Sequence, residues 1–556
     1  MRSLALLCVL MMTGLQACTA TRHDGSGSGA GSTANARREA PLFQGLSDLH
    51  HPISTKSEEA QKYFDQGLRL CYAFNHPEAV RSFQAATKRD PKCAMCYWGI
   101  AFALGSNINA PMPPENVKAA WDAVTKAREL AGKATPAEQA YINALATRYQ
   151  PDPPTDRAPL DRVYADEMRK VAKAYPDDLD AQALYAESVM DTMPWNYYLE
   201  NGQPKPETTE AIAALESVLK RDPNHIGAIH FYIHAVEASS TPERAEGPAD
   251  RLGALTPMAG HLVHMPSHIY FRVGRYDDAV RANEKAAAAD ESYIAQCRAQ
   301  GFYPALYYPH NLHFLYAAAS EEGRSSEAID AAKRLMNAAP DASFKEYPML
   351  EEFRPVYWMA LTRFGHWDDV LAEAAPTSEL HYATALWHYA RGMAYARTSK
   401  LGEAQGEYDA LHEFAAAPEL KDLKLLSGSK APDLLTIGEH VLGAEIARLK
   451  GNAGEEIAEL REAVRMQDSL PYTEPPPWYF PVRHALGAAL LRGHRPREAE
   501  RVFRDDLERN RDNGWSLYGL ALSLRAQGKD REAASVQKEF QTAWARADVS
   551  PDILYR

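Results

Sequence analysis

Histidine is concentrated in one part of the chain. Seven of the 19 histidines lie between Ile226 and Phe314 in a chain of 556 residues. They form three groups with neighbours three or four residues apart, a spacing that places side chains on one face of a helix. The seven are His230, His234, His261, His264, His268, His310 and His313. Neutral imidazoles that face one another are good ligands for transition metals, so the spacing predicts metal binding.

A repeat along the chain predicts the helices that would carry these histidines. Aromatic, glycine, alanine and proline positions recur at the intervals of a helix-turn-helix unit of about 34 residues. In the first unit they are Tyr63, Gly67, Ala79, Phe83, Ala86 and Pro91. This pattern resembles the tetratricopeptide repeat and extends, with degenerate units, over residues 58–545. The resemblance implies an all-α solenoid of stacked helix-turn-helix units that form a superhelix with a concave groove.

Insertions interrupt the repeat. Proline- and aromatic-rich segments occur at residues 111–114, 150–159, 194–206, 292–308 and 472–478. They are longer than the turns of an ordinary repeat, and loops of this composition are expected to cover a binding surface. Simple connections between units are the alternative.

The repeat register sends the histidines to one surface. Pro223 closes a unit, so the next first helix is predicted to begin at Ile226, and those that follow at Gly260 and Pro309. In the family that the chain resembles, the second, fifth, ninth and twelfth positions of the first helix line the concave wall. All seven histidines and Glu237 take such positions. At the overall histidine frequency of the chain, the twelve such positions in these three units would hold fewer than one histidine.

The sequence therefore predicts a metal site on the concave wall. Its candidate ligands are His230, His234, Glu237, His261, His264, His268, His310 and His313, and Glu187 and Asp191 flank them on the preceding unit. One ion surrounded by further histidines, or two ions, both satisfy this set. The expected metal is Cu, Fe or Zn, which would support an oxidase or a hydrolase.

A non-catalytic function is the alternative. The sequence has no HExxH motif, phosphate-binding glycine loop or nucleophile elbow, so whether the protein is an enzyme stays open. A repeat scaffold would instead bind a peptide, a protein or a small molecule in its concave groove. The net charge of -13 argues against a nucleic-acid partner.

The amino terminus predicts export. Arg2 precedes an apolar run that is too short to span a bilayer and ends at Leu15-Gln16-Ala17-Cys18. This ending resembles a bacterial lipobox, which implies a signal peptide at residues 1–17 and lipidation of Cys18. Residues 18–45 are then a flexible tether. The expected location is the periplasmic side of the outer membrane, with membrane contact through the lipid only; a simple secreted protein is the alternative.

Cysteine is scarce in the remaining chain. In an oxidising compartment, two of Cys71, Cys93 and Cys96 are expected to form a structural disulfide, with the pairing left open by the sequence.

Overall fold

The protein is helical, as its repeat predicts. A computed structural model describes residues 40–297, 302–377 and 379–554, and within these ranges it contains helices and no β-strand. The fold class is all-α, with stacked helical units of tetratricopeptide type. None of the described helices is long and apolar enough to cross a membrane. The predicted signal peptide and Cys18 lie outside the described residues.

The chain forms two compact units. The N-terminal unit comprises Met1–Ser240, Ala254–Ala259 and Gln296–Arg298, and the C-terminal unit comprises Thr241–Gly253, Gly260–Ala295 and Ala299–Arg556. The repeat region predicted at residues 58–545 includes parts of both units, since the chain crosses between them several times.

The N-terminal unit contains nine described helices. They are α1 (Glu58–Tyr72), α2 (His76–Arg89), α3 (Ala94–Ala103), α4 (Asn116–Leu130), α5 (Pro136–Ala146), α6 (Ala158–Ala174), α7 (Leu179–Asp191), α8 (Pro206–Arg221) and α9 (Ile226–Val236). Each packs on the next, and α1 packs on α3, α3 on α5 and α7 on α9. Contact between alternate helices is what a stack of two-helix units requires.

The C-terminal unit holds most of the remaining helices. These are α10 (Glu246–Leu255), α11 (Gly260–His264), α12 (Pro266–Arg272), α13 (Tyr276–Cys297), α14 (Phe302–Glu321), α15 (Ser325–Ala338), α16 (Asp341–Glu346), α17 (Val356–Arg363), α18 (Trp367–Ala372), α19 (His381–Arg397), α20 (Leu401–Ala415), α21 (Ala431–Leu449), α22 (Ala453–Asp468), α23 (Val482–Arg492), α24 (Pro496–Arg509), α25 (Gly514–Arg525) and α26 (Asp530–Ala543). Alternate helices pack here too: α17 on α19, α19 on α21 and α23 on α25.

Glycine and phenylalanine hold neighbouring helices together. A Cβ atom on Gly67 would lie 2.6 Å from the ring of Phe83, and one on Gly99 would lie 2.4 Å from it. Phe83 is fully buried between the two glycines. In the C-terminal unit Phe503 has the same relationship to Gly487 and Gly519. The small and aromatic positions of the repeat thus interlock.

The predicted helix starts are correct at two of three positions. Helix α9 begins at Ile226 and α11 at Gly260. The predicted start at Pro309 is wrong, because α14 begins at Phe302 and contains Pro309. Pro309 has no backbone N–H and so removes one hydrogen bond from the helix. Burial of Tyr303, Leu306 and other apolar side chains offsets the free-energy cost of that loss. The insertion expected at residues 292–308 is accordingly mostly helical.

The segment before α1 is attached to the N-terminal unit. Ala40 is buried, and its carbonyl accepts a hydrogen bond from the Tyr63 hydroxyl. Gln66 bonds to both the backbone carbonyl of Pro41 and the backbone N–H of Phe43. The prediction that the tether reaches residue 45 is therefore wrong, since the chain is held from residue 40 onward.

The structure pairs Cys93 with Cys96 in a disulfide. Cys71 is a free, buried thiol whose pKa is raised by burial.

Candidate metal centre

Three histidines of the C-terminal unit converge on one point. His264 ends α11, His268 lies in α12 and His310 lies in α14. The Nε2 atom of His264 is 2.8 Å from Nε2 of His268 and 3.2 Å from Nε2 of His310. Two imidazole nitrogens bound to one metal at about 2.0–2.1 Å are separated by about 3.0–3.4 Å. The observed spacing is therefore close to that of a single coordinated ion.

Asn283 fixes the protonation of His264. The side-chain nitrogen of Asn283 donates to the backbone carbonyl of Ala279 at 2.8 Å, which directs its oxygen toward His264. That oxygen lies 2.6 Å from Nδ1 of His264, so Nδ1 carries the hydrogen and donates it. In the neutral ring, the lone pair is then on Nε2, the atom that faces the other two histidines. Metal-binding histidines are commonly held in this way by a hydrogen bond from the second ring nitrogen.

Phenylalanine forms the apolar side of the cluster. The ring of Phe314 is 5.1 Å from those of both His264 and His268, and Phe271 packs on Phe314 at 5.5 Å. His264 and His268 are almost fully buried. A shell of this kind keeps bulk water from the ligands of a metal and strengthens their electrostatic interaction with it.

Glu474 approaches the cluster from the insertion at residues 472–478. One of its carboxylate oxygens lies within 4.8 Å of a ring nitrogen of His268. The hydroxyl of Tyr472 donates to Oε1 of Glu474, and Nε of Arg272 lies 3.9 Å from that Oε1 atom. The insertion thus carries a buried carboxylate to the histidines. Glu474 is not among the ligands predicted from the sequence. The sequence indicated the insertion at residues 472–478 but did not single out this residue.

Two predicted ligands of the C-terminal unit have different neighbours. The ring of His261 packs on Tyr307 at 4.7 Å and lies 6.0 Å from His264. His313 packs against Phe353 and Tyr479, and burial lowers its pKa to about 3. Since residues three apart on a helix differ by about 60° in direction, α14 turns His310 to the cluster and His313 to a different set of neighbours. The structure therefore does not bring His313 into the cluster.

The other predicted ligands lie in the N-terminal unit. Nδ1 of His230 is 2.7 Å from the backbone carbonyl of Tyr72, and Nδ1 of His234 is 2.9 Å from a carboxylate oxygen of Glu237. Each acceptor requires a hydrogen on Nδ1, so in the neutral rings both Nε2 atoms carry the lone pair. The two rings are 4.9 Å apart. Glu237, also predicted as a ligand, provides the carboxylate oxygen that lies beside Nδ1 of His234.

The flanking carboxylates belong to a buried ionic network. Nη2 of Arg148 donates to Asp191 at 2.7 Å, and Nε of Arg148 donates to Asp161 at 2.8 Å. Burial raises the pKa of Asp191 to about 7, against the effect of Arg148. Burial and the charge of Asp191 also raise the pKa of Glu187. Arg148 thus binds Asp191 inside the N-terminal unit, and Glu187 lies near both charges.

The similarity of this chain to solved structures is low. No protein-family model and no curated protein sequence matches the chain. Among solved structures, the human IFIT1 dimer with PPP-AAAA is 12% identical, with 88% of this chain and 91% of that chain covered and a TM-score of 0.34. Yeast Tom70 is 13% identical, with 87% and 92% covered and a TM-score of 0.30. The Cut9–Hcn1 heterotetramer of the APC/C is 11% identical, with 89% of each chain covered and a TM-score of 0.29. These proteins are helical repeat proteins of tetratricopeptide type.

Proposed function

We propose that the protein binds one transition-metal ion in its C-terminal unit through His264, His268 and His310. The observation that carries this proposal is the convergence of three Nε2 atoms, with the lone pair of His264 directed inward by Asn283. A donor set of neutral imidazoles suits Zn, Cu, Fe or Ni. Three protein ligands are also the number found in catalytic zinc sites, where the fourth position holds water or substrate.

A metal-dependent reaction is the finer part of the proposal. With Zn the site would support hydrolysis, and with Cu or Fe it would support oxidation. Glu474 supports this part of the proposal, because a buried carboxylate beside the ligands would be suited to accept a proton during such a reaction. Once the bound metal has been identified, hydrolysis is assayed for Zn and oxidation for Cu or Fe.

The cellular location is proposed from the sequence. The Leu15-Gln16-Ala17-Cys18 ending supports an exported, lipid-anchored protein on the periplasmic side of the outer membrane. The Cys93–Cys96 disulfide also supports an oxidising compartment. Metabolic labelling with a fatty-acid analogue should mark the wild type and leave a Cys18→Ala variant unmarked; equal labelling of both would refute the anchor.

A repeat scaffold is the second candidate. Stacked helices form most of the described part of each unit, and this architecture binds peptides or proteins in many repeat proteins. A scaffold needs no metal, so the metal measurement separates the two candidates.

Elemental analysis of the protein purified without a histidine tag tests the metal site. The wild type is compared with a His264→Ala/His268→Ala double variant. The matched control is His388→Ala/His440→Ala, because these two histidines pair with Glu407 and Glu459 outside the cluster. We expect about one equivalent of metal in the wild type and the control, and its loss in the first double variant. A metal-free wild type that takes up no Zn, Cu, Fe or Ni would disprove the proposal and favour the scaffold.

A further inference from the structure

A second group of possible ligands lies in a cleft of the N-terminal unit. The cleft has a volume of about 610 Å³. It is lined mainly by residues from the segment before α1, by residues at the start of α5 and α7, and by residues just before α9. Pockets that bind small ligands in proteins usually measure about 300–1,000 Å³. We call it the N-cap cleft, because Thr135, Asp178 and His225 in its wall are the N-cap residues of those three helices.

The helix caps explain why these side chains meet. Asp178 accepts a hydrogen bond from the backbone N–H of Ala181, and Nδ1 of His225 accepts one from the backbone N–H of Ala228. Helices α7 and α9 pack on each other, which brings their N-caps to the same cleft. Capping therefore requires polar side chains where the cleft opens.

Three side chains in the wall have the geometry of a cation site. Nδ1 of His51 lies 2.8 Å from a carboxylate oxygen of Asp180. One ligand atom from each of His51, Asp178 and Asp180 lies within 4.8 Å of the other two. Two ligands on opposite sides of one ion, bound at about 2.0–2.2 Å, are at most about 4.4 Å apart. A shift of a few tenths of an ångström would therefore let all three bind one ion.

Neighbouring groups hold the two carboxylates in place. The hydroxyl of Tyr141 donates to Asp178 at 2.9 Å, and that of Tyr72 donates to Asp180 at 2.6 Å. Nε2 of His225 lies 3.2 Å from Asp180 and carries a hydrogen in the neutral ring, because Nδ1 already accepts from the backbone. His225 therefore orients Asp180 and is not a ligand. Partners of this kind fix the carboxylate ligands of metal sites.

We propose that the N-cap cleft binds a divalent cation through His51, Asp178 and Asp180. Two carboxylates and one imidazole form a harder donor set than three imidazoles, so this site suits Mn²⁺ better than the histidine cluster does. The cleft is much larger than an ion, which leaves space for water or an anionic group of a ligand on its open side. The proposal is independent of the function proposed for the C-terminal unit.

Titration with Mn²⁺ alone tests the site. The full chain carries the His264→Ala/His268→Ala substitutions, so that the C-terminal cluster does not contribute, and free Mn²⁺ is followed by its electron paramagnetic resonance. The titration is run at about pH 8, since the hydrogen bond and charge of Asp180 outweigh the lowering effect of burial and raise the pKa of His51 to about 9. A cation must displace that proton.

Two variants and one control define the outcomes. Asp178→Asn removes a carboxylate but keeps a good N-cap, and His51→Gln removes the imidazole. His50→Gln is the matched control, because His50 is half exposed and pairs with Asp65 outside the cluster. We expect about one Mn²⁺ per chain in the background protein and the control, and at least tenfold weaker binding in both variants. Absence of Mn²⁺ binding, or equal affinity in Asp178→Asn and His50→Gln, would overturn the proposal and make the cluster a structural contact only.

Discussion

The Nε2 atoms of His264 and His268 lie 2.8 Å apart although the helix is broken between the two residues. Helix α11 ends at His264 and α12 begins at Pro266, which has no N–H to continue the helix. The N–H of His268 donates to Met265 three residues back, which tightens the backbone turn. This local turn presents two imidazoles at the separation that one metal ion requires. The arrangement of the two histidines therefore does not depend on a regular helix over these residues.

Removing the orienting partner of His264 should weaken metal binding without removing a ligand. In Asn283→Ala, Nδ1 of His264 loses its 2.6 Å contact with the amide oxygen, and the longer 3.3 Å contact with the Ser267 hydroxyl holds the ring less firmly. We expect the affinity for Zn²⁺ to fall about 10- to 100-fold, as it does when outer partners are removed from metal sites. Asn283→Asp keeps an acceptor and should bind more tightly than Asn283→Ala. Competition with a chromogenic chelator measures both; equal affinities for wild type and Asn283→Ala would show that the hydrogen bond does not orient the ligand.

Glu474 should affect the site without determining its occupancy. Glu474→Gln keeps the shape of the side chain and removes its charge near His268, while the three imidazoles remain. We therefore expect about one equivalent of metal by elemental analysis and less than a tenfold change in affinity. Complete loss of metal from this variant, with an unchanged circular dichroism spectrum, would show that Glu474 is a ligand and that three histidines do not suffice.

The sequence predicts the repeat and part of the site, for physical reasons that particular residues show. Gly67 and Phe83 are predictable because close helix packing demands a small residue opposite a large one. Gly260 and Ile226 follow from the register and begin helices as predicted. His313 lies outside the cluster because it is three residues after His310 on α14 and therefore points about 60° away from it.

Long-range contacts explain what sequence analysis missed. Glu474 reaches His268 from an insertion more than two hundred residues later in the chain. His51 meets Asp180 across 129 residues, and neither residue belongs to a local motif. Nothing in the sequence distinguishes Asn283 from the other polar residues of α13. Its role depends on the contact of its amide oxygen with His264. Such partners are set by tertiary packing, which periodicity within a helix does not encode.

The buried phenylalanine between two glycines should be essential to the N-terminal unit. Phe83→Ala leaves a cavity between α1 and α3 where Gly67 and Gly99 offer no side chain to fill it. Substitutions of this kind cost about 3–5 kcal/mol in the free energy of unfolding. Leu199→Ala, at a side chain that is 49% exposed, should cost less than about 0.5 kcal/mol. Chemical denaturation followed by circular dichroism compares the stabilities of the two variants. Equal stability would contradict the conclusion that the packing of Phe83 between the two glycines stabilises the unit.

Ionisation of Asp290 should make the C-terminal unit less stable as pH rises. Burial raises the pKa of Asp290 to about 7, against the lowering effect of hydrogen bonds from Tyr303 and Asn311. The native state therefore binds a proton more tightly than the unfolded chain does. The stabilising contribution of the protonated carboxyl is complete below about pH 4 and is lost as pH rises to about 7, after which it stays constant.

Asp290→Asn tests this sign directly, because an amide is neutral at every pH. Its single oxygen accepts one of the two hydrogen bonds, and the loss of the other changes stability equally at every pH. The stability of the variant relative to wild type should increase between pH 4 and pH 7 by a few kcal/mol at most, since one pKa unit corresponds to about 1.4 kcal/mol. Other ionisable groups are common to both proteins and largely cancel in the difference. Denaturation midpoints measured at pH 5 and pH 8 give this difference. If the difference in stability between variant and wild type is the same at both pH values, Asp290 ionises equally in the folded and unfolded chains.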